Sequence, residues 1–283
     1  MAGREFERLV RLGYGWDRSS ATSQGPTRMQ RIQTASHDTN APYRAPHCNA
    51  DGPVTGSFAA MGAIWVMRAD LGPGAALSWA PEHGDEVLYL IEGSVRLDGR
   101  TVSPGDAVFL EAGANAHLAA EVPSRIVQFG SFEPAPRLAT DGADAQPGEK
   151  KIVPPQGAAG KVATGPDGTV YKTRYYADGT QPGCRAALLR VEIDASARVP
   201  PHSHSAHEII HVLNGRIRLG AQTVSAGMSL SVAGNTRYAF ETEGPIDFIN
   251  YRPEVSYITS STPGSNPKPV LETPRGISEG YDH

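Results

Sequence analysis

Between Pro200 and Gly215 the chain reads Pro-Pro-His-Ser-His-Ser-Ala-His-Glu-Ile-Ile-His-Val-Leu-Asn-Gly. His202 and His204 are two residues apart, and Glu208 follows four residues after the second. Side chains alternate across an extended strand, so the two histidines share a face, and Glu208 has the same parity unless a turn resets the count. Two neutral imidazoles and a carboxylate converging on one point suit a divalent Fe, Mn, Ni, Co or Zn ion. The Ile-Ile and Val-Leu pairs before Gly215 read as a buried strand ending in a turn. His207 and His211 have the opposite parity and face away on a straight strand. His207 is expected at the surface, with a supporting place beside Glu208 as the alternative.

The elements that must position these groups read as short strands. With 31 glycines and 23 prolines, the chain favours turns and many strands over long helices. Ile64–Arg68, Val87–Glu92, Ser94–Arg100 and Ala107–Leu110 are strand-like, and turns at 71–74 and 102–106 separate them. Such spacing suggests a sandwich or barrel. A second series of strand-like segments starts near Thr169-Val170-Tyr171. Around Pro134-Ala135-Pro136, Gln146-Pro147-Gly148 and Pro154-Pro155 the composition is that of a linker.

Sliding the chain by 122 residues lays Arg68 on Arg190, Glu86 on Glu208 and Gly93 on Gly215 without a gap. Arg96-Leu97 falls on Arg218-Leu219, Thr101-Val102-Ser103 on Thr223-Val224-Ser225, and Gly105 on Gly227. The identities cluster at turn glycines and strand positions, as expected of two copies of one unit.

The pattern His-x-His, three residues, Glu, six residues, Gly resembles the first sequence motif of the cupin superfamily. With the repeat, the chain resembles a bicupin over residues 55–253. The resemblance implies an all-β fold of two tandem cupin (jelly-roll) barrels. The expected division is an N-terminal arm (1–54), a first cupin domain (55–135), a linker (136–165), a second cupin domain (166–255) and a tail (256–283). It also implies a fourth metal ligand from a second motif. In the second copy that position is Tyr238 instead of the family's histidine. The phenol is then a ligand, a proton donor or a barrel-lining aromatic. In the first copy Ala80 and Glu82 replace the two histidines and Glu86 is kept. Counting from Gly105 reaches Ala116, and a one-residue insertion near Ala112–Asn115 would bring in His117. Glu82, Glu86 and His117, with His83 as a further candidate, are thus a weaker second set, with a purely structural first barrel as the alternative. Trp79 is expected to pack in the core or at the rim.

Fold alone does not give function. The expectation is a metal-dependent enzyme acting on a small organic molecule in the second barrel. An Fe(II)-type dioxygenase is favoured, because three protein ligands leave positions open on the metal. A redox-neutral isomerase, cyclase or lyase is the alternative, and a non-catalytic small-ligand binder the third reading. The net charge of −4 with acids and bases interspersed argues against a nucleic-acid partner. No apolar run reaches the ~18 residues of a membrane helix, and the first residues lack a signal-peptide core. A cytoplasmic protein is expected, with a homodimer possible. Cys48 and Cys184 are expected as free thiols.

Overall fold

The computed structural model describes residues 31–37, 41–132, 148–165, 167–180, 184–260 and 270–271. The Gln24-Gly25-Pro26 turn, the Pro134–Pro147 part of the linker, the tail prolines at 263, 267, 269 and 274, and Asp282-His283 lie outside them. Among the described residues there are 25 strands in four antiparallel sheets and one short 3-10 turn at Pro155–Gly157. None of their helices is long and apolar enough to cross a membrane.

The repeat is visible strand by strand. One seven-stranded sheet runs Lys150–Val153, Ala107–Leu110, Glu86–Glu92, Ser124–Ser131, Ile64–Leu71, Val54–Met61, Ala41–Pro42. Its counterpart runs Ile32–Ser36, Met228–Val232, Glu208–Asn214, Ile246–Arg252, Ala187–Ile193, Val170–Asp178, Ala159–Thr164. A smaller sheet closes each barrel. In the first barrel it contains Ala76–Trp79 and Ala116–Ala120, and in the second Arg198–His204 and Tyr238–Thr242. Gly93 and Gly215 end equivalent strands at φ 84° and 86°. A Cβ at either position would lie within 2.4 Å of a backbone carbonyl, that of Pro123 or Pro245. The motif glycine is thus required by both its left-handed conformation and the close approach of the neighbouring strand.

Segments outside the repeat fill the outer strand positions. Beside Ala107–Leu110 the outer strand is Lys150–Val153, from the expected linker. The equivalent place beside Met228–Val232 is taken by Ile32–Ser36, from the expected arm. Residues 41–42 and 48–51 of that arm pair into the first barrel. The arm therefore contributes strands to both barrels. Its lack of periodicity follows from its short strands and largely exposed side chains.

Each barrel has its own apolar interior, and a third cluster lies between the two large sheets. That cluster brings Val87, Val127 and Phe129 of the first barrel against Ile209, Ile249 and Tyr251 of the second. These are the same positions 122 residues apart, so the two copies meet through one self-complementary patch, as in a two-fold interface. Phe129 stacks on its own counterpart Tyr251, with ring centroids 5.2 Å apart and planes 11° from parallel. Cys48 and Cys184 are both buried free thiols.

Because Phe129 is fully buried on this seam, Phe129→Ala should cost about 3–5 kcal/mol in urea or thermal unfolding. A loss under about 1 kcal/mol would show that the two barrels do not depend on this contact.

Candidate metal centre in the second barrel

His202 and His204 end the strand Arg198–His204 of the small sheet, and Glu208 begins the strand Glu208–Asn214 of the large one. The turn between them moves the chain from one sheet to the other, yet all three side chains are buried. Tyr238 lies directly across from His202 on the neighbouring strand, after a bulge in the pairing between Val199 and His202. The His202 ring is 5.0 Å from that of His204 and 4.4 Å from that of Tyr238, centroid to centroid. The sequence-derived set is therefore buried in the second barrel and drawn from both of its sheets.

Polar contacts hold both rings in place. His202 Nδ1 is 2.8 Å from the Pro200 carbonyl. A carbonyl only accepts, so Nδ1 carries the proton and Nε2 keeps its lone pair. His204 Nε2 is 3.4 Å from Nη2 of Arg252. Arg252 Nη2 also donates to Glu208 Oε2, again at 3.4 Å. Glu208 Oε2 also accepts the Asn250 side-chain amide at 2.8 Å and lies 3.7 Å from His204 Nε2. Burial alone would raise the Glu208 pKa. His204, Arg252, and hydrogen bonds from Tyr238 and Asn250 outweigh it and hold the carboxyl below its ordinary value. Glu208 is thus a buried carboxylate, charged because cations and donors surround it.

Among the described residues, no three His, Cys, Asp or Glu side chains stand close enough together to hold a metal ion as they lie. The carboxylate is turned to Asn250 and Arg252. The donor chemistry nonetheless fits a divalent transition metal. Two buried imidazoles, His202 with its Nε2 lone pair kept, stand beside a charged carboxylate, and one cationic group, the Arg252 guanidinium, already lies against it.

The first barrel does not assemble the weaker set. Glu82 and His117 are both exposed. On Ala116–Ala120 it is Ala116 that faces inward and His117 outward, against Ser78. No inserted residue shifts that register, because Ala116 pairs with Trp79 and His117 with Ser78. His83 is buried, but both its ring nitrogens face carbonyls, of Gly84 and Ala114, so it clips loops together. Only Glu86 occupies its expected interior place. Its Oε2 accepts Trp79 Nε1 at 2.7 Å and Gln128 Nε2 at 2.6 Å, and Gln128 in turn accepts the Tyr43 hydroxyl. Trp79 thus packs in the core, as expected, and also serves as a donor to this carboxyl.

His211 does face away from the site, as its parity requires, but it is buried between the barrels rather than solvated. Ser229 Oγ lies 2.9 Å from His211 Nδ1 and 2.9 Å from His37 Nε2. Burial first, then His37 and Arg68, press the His211 pKa down to about 3, so the ring stays neutral. His207 is half-buried.

Sequence reasoning missed Asn250, Arg252, Gln128 and Tyr43. The first and third were within reach. Gln128 and Asn250 are 122 residues apart, and each donates its amide to the repeat's glutamate. Arg252 carries no such signal, because its counterpart is Gly130, packed too tightly against Trp65 for any side chain.

A family model described as Cupin matches residues 159–241. No curated protein matches the sequence. Among solved structures, a putative glyoxylate induced protein from Pseudomonas aeruginosa is similar at a TM-score of 0.58 and 14% identity, over 82% of this chain and 92% of that one. Protein Ylba from E. coli is similar at a TM-score of 0.55 and 10% identity, over 84% and 97% of the two chains. Oxalate decarboxylase of Bacillus subtilis, a protein with Mn(II) centres, is similar at a TM-score of 0.50 and 17% identity, over 68% and 69%.

Glu86 gives this site a test in the first barrel. Burial pushes its carboxyl from an ordinary 4.5 up to about 8, against the opposing hydrogen bonds from Trp79 and Gln128. The folded chain then keeps a proton that the unfolded chain releases. That contribution is complete below about pH 4.5 and is lost as pH rises towards 8, at up to about 1.4 kcal/mol per pH unit. Urea unfolding between pH 5 and 8 should show this decline in the wild type, and a flatter profile in Glu86→Gln. Parallel profiles would mean that Glu86 is ionised in the folded protein.

Proposed function

We propose that the second of this chain's two tandem barrels, over which the Cupin family model matches, is the metal-dependent catalytic site of an enzyme acting on a small organic molecule. His202 and His204, through Nε2, and Glu208 would hold one divalent transition metal ion. The observation that carries this reading is the burial of both imidazoles beside a charged carboxylate, with the His202 Nε2 lone pair kept because Nδ1 donates to the Pro200 carbonyl. Mn, Fe, Co, Ni and Zn all accept such donors. When bound, the ion supplies Lewis acidity towards a carbonyl or carboxylate oxygen.

The chain's own residues supply the rest. The Pro200 carbonyl holds the His202 ring in orientation, and Asn250 fixes one oxygen of Glu208, the supporting contacts a ligand set needs. Phe240 and Phe248 pack edge to face in the interior with Tyr238 stacked beside them, which keeps water from that side of the wall. Tyr238 sits against both His202 and Glu208 with a hydroxyl that gives or takes a proton there.

The favoured reaction class is redox-neutral: decarboxylation, isomerisation, cyclisation or elimination. Two proton-bearing groups, Tyr238 and Arg252, flank the donors, which suits stabilising negative charge that develops on a substrate. The similarity to a Mn(II) decarboxylase supports the same class. The second reading is an Fe(II)-dependent oxygenase, favoured by one feature, a set of only three ligands that leaves positions open.

Metal analysis and turnover test this. Wild type should take up about one equivalent of Mn(II) or Fe(II) per chain, and His202→Ala with His204→Ala should take up none while remaining folded. A full equivalent retained by that double variant would remove the metal from this site. Turnover of small keto and carboxylic acids under argon supports the redox-neutral class, whereas stoichiometric oxygen uptake supports the oxygenase. Tyr238→Phe keeps the packing ring. It should bind metal normally and lose about 10²–10⁴ in kcat. Normal turnover by that variant would make the tyrosine a lining residue.

A further inference from the structure

Arg252 is the group that the family pattern does not foresee. Its guanidinium is buried, and one nitrogen, Nη2, lies 3.4 Å from both His204 Nε2 and Glu208 Oε2. Those two atoms are 3.7 Å apart. An ion about 2.1 Å from each of them would fall about 2–4 Å from Nη2. Arginine does not lose its proton in proteins, so a divalent ion and the guanidinium would be two cations sharing one carboxylate at contact distance. They are therefore alternative partners of Glu208.

The charges give the consequence. Before a metal enters, Glu208 and Arg252 neutralise each other. Afterwards a divalent ion and a guanidinium share that carboxylate, and the cluster has gained two positive charges out of water, a costly change unless an anion joins them. The planar fork of a guanidinium released from Glu208 matches a carboxylate in particular. The other copy has no such group, since Gly130 stands at the equivalent place and a Cβ there would lie 2.4 Å from the Trp65 ring.

We propose that Arg252 is the anion anchor of the second barrel: metal takes Glu208 from the guanidinium, the guanidinium binds the carboxylate of a small organic acid, and the two ligands bind cooperatively. This rests on the metal reading above and adds the substrate class, small carboxylic acids. No covalent step is involved, only the exchange of one ion pair for two. By linkage, each ligand must raise the other's affinity by the same factor.

The test is Mn(II) titrated into the metal-free full-length chain and followed by the free-ion EPR signal, with and without acetate at constant ionic strength. Acetate is the probe because it chelates Mn(II) weakly. In wild type, saturating acetate should tighten Mn(II) binding about ten-fold. Arg252→Gln, which removes the competing charge, should bind Mn(II) about ten-fold tighter than wild type without acetate and gain nothing from adding it. Arg252→Lys, which keeps a charge, should not show that gain. No acetate effect in wild type overturns the proposal without any variant. An equal acetate effect in Arg252→Gln also overturns it, because the anion would then meet the metal alone. Mn(II) binding through His202 and His204 without an acetate effect refutes only the anchor. Mn(II) binding that survives His202→Ala with His204→Ala refutes the metal reading, and no binding by any variant refutes both.

Discussion

A charged carboxylate enclosed in a β-barrel must have compensating charge or donors within reach, and in this protein Glu208 imposes that requirement on everything around it. Asn250 and Arg252 come from the adjacent strand, His204 from the facing sheet, and Tyr238 from the strand beside that. Without these partners burial would favour the neutral acid.

The first barrel shows what the same position becomes when those partners are absent. Glu86 is as deeply buried as Glu208 and accepts an amide from the equivalent strand. Beside that Gln128 amide its neighbours are Trp79 and Tyr43, and these neutral groups leave the carboxyl high in pKa, near 8. Trp79 fills the space beside the carboxylate, and Tyr43 arrives from the segment preceding the repeat. One scaffold therefore holds a protonated acid in a filled barrel and an ionised acid in a polar one. The seam between them, built from Phe129, Tyr251 and their repeat-related neighbours, makes the two a single body.

Much of this was legible in the sequence. The 122-residue repeat, the turn glycines Gly93 and Gly215 and the His202, His204, Glu208 spacing all carry local physical signals, and the all-β two-barrel fold follows from them. Tyr238 was found because its place could be counted from a turn. What failed was any inference needing the register of one strand against another. His117 was admitted to the weaker set through an insertion that the pairing of Ala116 with Trp79 does not allow. The strands at 32–36 and 150–153 were invisible because short, half-exposed edge strands lack the alternation that marks a buried one. Arg252 was missed because an arginine 44 residues beyond its partner Glu208 leaves no local pattern at all.

The central claim is that the Glu208 carboxylate exchanges its internal cation for a metal ion. A crystal of the full-length protein soaked in Mn(II) and measured at the manganese absorption edge tests it most directly. The account predicts one anomalous peak about 2.0–2.3 Å from His202 Nε2, His204 Nε2 and a Glu208 oxygen, with the Arg252 guanidinium moved off that carboxylate. A soaked crystal with no peak there, and with Arg252 still on Glu208, would contradict it.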